Sequence, residues 1–578
     1  MIQKSWRIKN PTKQKIDQIK SVTNLSLISS TLLSNLNINE TNEIKSFVKP
    51  DLDTIHSPML FKNMDKALQR IEQALNNQEK ICCYGDYDVD GITGSSLLYN
   101  FFDFIGGNAR HYIPDRIKEG YGLNKFAIEK VYNEGCKLLI TADCGIRSIE
   151  EVDFAKSIGL DIIITDHHEQ GELLPNACAI INPKLHECNY PFKGISGSGV
   201  ALKLAWAIAE GLNKHLKIKQ AFSDFLIDSL SFATLGTIAD MVPLLDENRV
   251  IVKFGLESIR QSSNVGIQAL LEVSVDNDTP ITTETVAFQI APRINAAGRL
   301  GRSDLISELF TTKSRQKALE LARELNELNI SRREIELEYS KEAFLQAEEI
   351  VKKYSHTIVL DGDDWHSGII GIIASRILDK YYRPTFIISH HGEDKTIGKG
   401  SARSIEGYSL PSALEFAKDH LVQFGGHDMA AGFVIKRDRV QAFRDAIETD
   451  GKSKLNKELL VPILRVDIEI DLDSLNMDLL EDIDRLAPFG CANPNPMFAT
   501  KNVNVIGSPR VIGKKKTHLK FKIVKNGTVC NVIAFNFAER LNELLSYQMI
   551  DVAFVPYLEK WNGRKSVDLR LKDFREAK

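Results

Sequence analysis

The chain has 578 residues, 43% of them hydrophobic, with a net charge of -4, which is enough apolar content for packed cores and enough length for about three or four domains. No apolar run approaches the ~18–20 residues of a membrane span, and Met1 to Arg7 lacks the apolar core of a signal peptide, so a cytoplasmic protein is expected. The mild acidity hides an uneven distribution: Lys501 to Lys578 carries 16 Lys+Arg against 7 Asp+Glu, a local +9, which leaves -13 on residues 1 to 500.

Residues 1–50 are polar and Asn/Ser-rich, and read as an N-terminal extension packed on the core. From 51 to 311, strand-like apolar runs alternate with helical patterns, which predicts an α/β lobe on a parallel sheet. Three of those runs, Ile81 to Tyr84, Leu138 to Thr141 and Asp161 to Thr165, end in chemistry: Gly85-Asp86-Tyr87-Asp88-Val89-Asp90-Gly91, then Asp143, then Asp166-His167-His168. Ligands of parallel sheets gather outside the carboxyl ends of the strands, so these groups should converge on one crevice.

Carboxylates clustered in this way repel one another unless a cation sits among them. Oxygen donors with one or two imidazoles suit Mn²⁺ or Mg²⁺, and two such ions about 3.5–4 Å apart make a clamp for attack at phosphorus. A calcium-binding EF-hand is a poor alternative, because a loop counted from Asp86 would need its Glu where Leu97 stands. The eight cysteines include no C-x-x-C pair, Cys82, Cys83 and Cys144 fall in or beside the buried strands, and reduced thiols are expected.

Further along, an apolar helix near Phe222 to Leu235 runs into a loop, Gly236 to Leu244, that contains Asp240. Residues 312–352 contain neither Gly nor Pro, and predict a long connecting helix. A second α/β unit is expected over 353–457, punctuated by Gly400-Ser401-Ala402-Arg403-Ser404 and Gly425-Gly426-His427. Over 458–578, the Pro-rich turn Ala487 to Pro496 opens a run of short strands. Short strands with turns suggest a small OB-like β-barrel, and the basic charge there, including Lys514-Lys515-Lys516, fits single-stranded nucleic acid as well as it fits an ordinary solvated face.

Together these residues resemble the DHH phosphoesterase superfamily and, within it, the RecJ single-strand-specific DNA exonucleases. Besides the strand-end motifs, the resemblance rests on Ile113 to Gly122, Asn182-Pro183-Lys184, Thr237 to Leu244, Pro292 to Arg299, Trp365-His366-Ser367-Gly368, Gly400 to Ser404 and Gly425 to Gly432. It implies a DHH catalytic lobe, a DHH-associated lobe across a cleft and a C-terminal OB-fold. Cys491 departs from the pattern, where the family more often has Gly.

Carried over, the resemblance makes Asp86, Asp88, Asp143, His167 and Asp240 the ligands of two Mn²⁺ or Mg²⁺ ions, with Asp90 and His168 supporting the site or the scissile phosphate. Asn295, Arg299, Ser401, Arg403 and His427 become candidates for substrate binding. Arg116, Tyr121 and Arg293 have weaker claims, as do Arg332 and Arg333 on the long helix. The implied activity is 5′→3′ hydrolysis of single-stranded DNA to 5′-mononucleotides in recombination and repair. A monomer is expected, with the single-strand binding protein as a partner. Two other readings stay open at this point: a DHH phosphodiesterase for cyclic dinucleotides or very short RNA, and a catalytically dead scaffold that binds single strands. The basic C-terminal segment argues against the first, and the complete acid set argues against the second.

Overall fold

The structure is a computed structural model of the chain and describes residues 4–36, 38–116, 119–120, 122–216, 219–392, 395–561 and 564–577. Internal contacts divide the chain into two units: Pro11–Asn329 with Asp478–Asn495, and Met1–Asn10 with Ile330–Met477 and Pro496–Lys578. Among the described residues no helix is long and apolar enough to cross a membrane. The polar N-terminal stretch is itself folded, with strand β1 at Ser5–Ile8 and helices at Lys13–Val22, Leu27–Ser34 and Thr41–Val48.

The first unit is built on five parallel strands: β2 (Lys80–Gly85), β3 (Ala109–Tyr112), β4 (Cys136–Ala142), β5 (Asp161–Thr165) and β6 (Ala179–Ile181), in the order β3-β2-β4-β5-β6. Strands covered on both faces read as continuous apolar runs, and Ile81 to Tyr84, Leu138 to Ile140 and Ile162 to Ile164 are accordingly buried. The order reverses between β2 and β4, the first strand of the sheet growing outward on both sides. A sheet of this kind opens a crevice at that switch point. Helix Val89–Phe104, buried along nearly its whole length, packs on β2 and against helices Gly197–Leu216 and Lys219–Ala239.

The second unit contains a mixed sheet of β7 (Ile358–Asp363), β8 (Thr385–His390), β9 (Ile397–Arg403), β10 (Leu421–His427) and β11 (Ala430–Lys436), in the order β10-β11-β9-β8-β7. Only the β7–β8 pair is parallel. The stretch without Gly or Pro forms helix Arg315–Lys353. β12 (Ile463–Val466) pairs in parallel with β1, so Ser5–Ile8 belongs with this unit and not with the helices that follow it. β13 (Ile468–Glu469) then leads to β14 (Phe498–Ile512), β15 (His518–Lys525), β16 (Thr528–Ala534), β17 (Ile550–Trp561) and β18 (Arg564–Glu576).

These last five strands close in the order β14-β15-β16-β18-β17-β14, with β16 and β18 parallel and helix Leu541–Ser546 between β16 and β17. That is OB-fold topology. The strands are not uniformly short, as the turn spacing suggested: β14, β17 and β18 have 15, 12 and 13 residues. Closing a barrel from so few strands takes long strands that bend, and β14 does so through a register shift between Ile506 and Arg510. The Pro-rich turn leads directly into β14, as expected, and its residues up to Asn495 pack within the first unit.

Arg249 explains part of that packing. Its guanidinium is buried, donates to the carbonyls of Phe47 (2.7 Å), Ala487 (2.7 Å) and Pro488 (3.3 Å), and lies 3.7 Å over the Phe47 ring. Burial lowers its pKa to about 9. Arg249→Met keeps the volume but leaves three carbonyls without this donor, each costing about 1–3 kcal/mol, so a loss of at least about 3 kcal/mol in unfolding free energy is expected. Denaturant unfolding checks it, and an undiminished midpoint would mean that the carbonyls find other donors.

Candidate active site

Asp86 leaves the end of β2. One carboxylate oxygen, Oδ1, accepts the Gly122 amide at 3.3 Å, whereas Oδ2 is buried with no hydrogen-bond partner. Two residues on, Asp88 is the N-cap of helix Val89–Phe104: its Oδ1 accepts the amides of Asp90 (3.0 Å) and Gly91 (3.2 Å). The spacing Asp-x-Asp thus has a local cause, since an aspartate at the N-cap satisfies amides that the helix leaves unpaired. Asp90 reaches across to the start of another helix, where Oδ2 accepts the Gly197 amide (2.6 Å) and Oδ1 the Ser198 amide (2.9 Å).

Asp143 leaves β4 in the left-handed region, at φ +65°. The backbone of Gly197 runs so close that a Cβ there would lie 2.5 Å from the Asp143 Cβ, which is why this position is glycine. His167, after β5, brings its Nε2 to 3.0 Å from Asp143 Oδ1, 3.5 Å from Asp240 Oδ2 and 3.9 Å from Asp90 Oδ2. Neither His167 Nε2 nor Asp143 Oδ1 makes a hydrogen bond, and both are buried. Among the described residues, donor atoms converge in two groups, Asp143 with His167 and His168, and Asp90 with His167 and Asp240.

His168 Nδ1 lies 2.8 Å from Asp166 Oδ1 and 3.7 Å from Asp143 Oδ1. Asp166 also accepts the amides of His167 (2.7 Å), His168 (3.1 Å) and Ile146 (2.9 Å), which makes it the hub of this turn. Asn182, after β6, donates to the His168 carbonyl at 2.9 Å.

The electrostatics match a cation site. Burial first, and the neighbouring acids after it, raise Asp86, Asp88 and Asp143 above the usual carboxylate range and push Asp240 up to about 8. Burial also lowers His167, keeping its imidazole neutral and fit to ligate. Asp166 and His168 behave oppositely. Burial opposes the charge on both, but their mutual hydrogen bond and attraction outweigh it, so Asp166 is lowered and His168 raised. Buried acids held in common and three buried donor atoms that no protein group satisfies fit hard divalent ions such as Mn²⁺ or Mg²⁺.

Among the substrate candidates, Asn295 and Arg299 sit half-buried on helix Ala291–Arg299. The adjoining Gly298 backbone presses on the turn that carries the acids, where a Cβ would meet the Tyr87 carbonyl at 2.6 Å. Arg116 lies 4.8 Å over the Tyr87 ring. Arg293 donates to Asn326 Oδ1 (3.0 Å) and to the carbonyls of Gln289 and Val273. Tyr121 lies outside the described residues.

In the second unit, Arg403 donates to Ser401 Oγ at 3.2 Å and to the Ala402 carbonyl at 2.8 Å. Both side chains face the first turn of helix Ile370–Tyr381, where a Cβ on Gly371 would lie 3.0 Å from the Arg403 guanidinium and 3.1 Å from Ser401 Oγ. His427 is exposed at the end of β10. Arg332 pairs with Glu336, whose carboxylate also holds Arg376 at 2.5 Å. Sequence reasoning missed the organising roles of Asp166, Asn182, Gly197 and Ser198; the run of small residues Ser196 to Gly199 was the available sign of a close backbone approach.

Comparison with known proteins agrees with this geometry. Family models match over residues 80–230 (DHH family, N-terminal domain), 351–450 (DHHA1 domain) and 466–573 (RecJ OB domain). The single-stranded-DNA-specific exonuclease RecJ of Bacillus subtilis is 35% identical over 98% of this chain and 70% of its own length, and that of Haemophilus influenzae is 34% identical over 92% and 93%. The crystal structure of Thermus thermophilus RecJ in complex with Mn²⁺ superposes with a TM-score of 0.83 at 28% identity, over 99% of this chain and 80% of that one. A second RecJ structure, bound to manganese, is 33% identical with a TM-score of 0.59, over 70% of this chain and 96% of that one. The chain therefore belongs to the RecJ family of single-stranded-DNA-specific exonucleases.

Proposed function

We propose that this chain is a 5′→3′ exonuclease that degrades single-stranded DNA to 5′-mononucleotides, in the cytoplasm, as a monomer, within DNA recombination and repair. The single-strand binding protein would be its protein partner. The observation that carries the reading is the convergence of Asp143 and Asp240 on His167, with Asp86 at the neighbouring strand end and buried donor atoms on Asp86, Asp143 and His167 left unsatisfied.

Asp86, Asp88, Asp143, His167 and Asp240 hold two divalent ions, which lower the pKa of water and stabilise the leaving 3′-oxyanion. Asp90 locks the strand-end acids to the Gly197–Ser198 helix start. His168, oriented by its hydrogen bond to Asp166, contacts the scissile phosphate. Arg299, Asn295, Ser401, Arg403 and His427 contact the strand; Ser401 and Arg403, at a helix N-terminus, are suited to a phosphate.

The test is incubation of end-labelled single-stranded and duplex oligonucleotides with Mn²⁺ or Mg²⁺. Mononucleotides released from the 5′ end of the single strand alone are expected. Hydrolysis confined to dinucleotides would favour the short-substrate phosphodiesterase instead, and binding without cleavage would favour the scaffold.

The barrel supports the choice of substrate. Lys514, Lys515 and Lys516 are exposed in the loop between β14 and β15, and Lys520 and Lys522 project from β15. Replacing Lys514 to Lys516 with alanine is expected to weaken binding to long single strands and to reduce the slope of log affinity against log salt by about 2, since each phosphate contact on a single strand contributes about 0.7. Hydrolysis of very short substrates should survive. An unchanged salt slope would mean that this loop makes no phosphate contacts.

A further inference from the structure

The turn Leu486–Asn495 lies in sequence beside the barrel but packs with the catalytic unit, and its contacts reach the loop that carries Asp240. The Leu244 amide donates to the Cys491 carbonyl at 2.9 Å. Gly490 packs on Leu244 so closely that a Cβ would meet its Cδ1 at 2.6 Å. The other flank grips the helical stretch that ends in Asn295 and Arg299: Thr283 Oγ1 donates to the Phe489 carbonyl at 2.6 Å, and Asn495 Nδ2 to Glu284 Oε1 at 3.2 Å. Arg249 takes the Ala487 and Pro488 carbonyls.

The shape of the turn comes from within. Asn493 is buried; its Nδ2 donates to the carbonyls of Leu486 and Pro488, both at 2.9 Å, while its backbone exchanges hydrogen bonds with Gly490. Asp240, partly buried, is the first residue after helix Lys219–Ala239, its amide donating to the Gly236 carbonyl at 2.9 Å, and the chain turns away just beyond it, with Met241 in the left-handed region at φ +58°. Asp86, Asp143 and His167, by contrast, directly follow strands of the buried sheet. A ligand where the chain leaves a helix is held from one side only, and the segment beyond it needs a support to keep its direction.

We propose that the turn Leu486–Asn495 is a positioning element for metal binding: it fixes the Asp240–Leu244 loop so that Asp240 meets His167, and Asn493 gives the turn its shape. The proposal rests on the reading of Asp240 as a metal ligand, and the experiment separates the two.

In the full-length protein, Asn493→Ala removes the brace inside the turn, and Thr283→Val removes a single external hydrogen bond without changing volume. Mn²⁺ binding to DNA-free protein is followed by the electron paramagnetic resonance signal of the free ion, alongside KM for a short single strand and thermal unfolding. Both variants are expected to weaken Mn²⁺ binding by about 10- to 100-fold, the usual effect of losing a partner that orients a ligand. KM for DNA should be unchanged, and Thr283→Ser should restore wild-type binding. Asp240→Asn should weaken Mn²⁺ binding at least as much. If Asp240→Asn does so while Asn493→Ala and Thr283→Val bind Mn²⁺ like wild type, the turn is structural only and the proposal falls. If Asp240→Asn also binds like wild type, Asp240 is no ligand, and both readings fall.

Discussion

Asp143→Asn is expected to lower turnover by more than about 100-fold at saturating metal, beyond the usual cost of losing a mere outer partner of a metal ligand, while leaving the fold intact. Asparagine is the informative replacement because Asp143 sits at φ +65°, a conformation that asparagine tolerates and alanine does not. Asp88→Ala should lower turnover as far, although it also removes a helix cap at a cost of about 1 kcal/mol. Near-wild-type turnover in either variant would remove that residue from the ligand set.

Removing an acid should also relieve the metal-free protein, and pH reports it. Asp240 has a pKa of about 8 in the folded chain, against about 3.9 when unfolded. A carboxyl group with a raised folded pKa favours the folded state only while it is protonated, so its contribution worsens as pH rises from about 4 to about 8. Asp240→Asn should therefore stabilise the metal-free protein more at pH 8 than at pH 6. Thermal unfolding in chelator at the two pH values measures this, and a difference that shrinks with pH would contradict the raised pKa.

Arg403→Ala is expected to slow cleavage far more on 5′-phosphorylated than on 5′-hydroxyl single strands. A terminal phosphomonoester carries up to two negative charges where an internal diester carries one. Arg403 is already oriented by Ser401 and the Ala402 carbonyl beside the first turn of helix Ile370–Tyr381, and guanidinium, hydroxyl and helix N-terminus together suit that dianion. Losing one charge-assisted hydrogen bond is worth about 1.5–3 kcal/mol, or roughly 10- to 150-fold in kcat/KM. The quantity to compare is the ratio of kcat/KM for the two substrates in wild type and variant. If the ratio holds while overall activity falls, Arg403 positions the strand or the fold, and end recognition lies elsewhere.

Much of the fold and of the metal site was legible because local pattern and function coincide along the parallel sheet. Buried strands write themselves as apolar runs, and residues at their carboxyl ends must face one crevice. Asp86, Asp143 and His167 could therefore be grouped across 82 positions of chain, from Asp86 to His167, before any distance was known. The roles of Arg293 and Arg332 could not be read in the same way. An arginine on a helix looks identical in sequence whether it faces a phosphate or, as here, caps carbonyls or pairs with Glu336.

By itself, the sequence determined the element types and which acids and imidazoles stand at the ends of the parallel strands, because periodicity, capping and donor type are properties of short stretches. Only the tertiary structure decided that Asp90 is held by the Gly197 and Ser198 amides, and that Asp166 and not His168 organises its turn. It also showed that the turn Leu486–Asn495 packs with the catalytic unit and that Ser5–Ile8 pairs with β12 of the other one. Each of these depends on partners more than 100 residues away or on which of two oxygens faces which amide. Such pairings are selected by packing of the whole chain, and leave no periodic trace in the residues that make them.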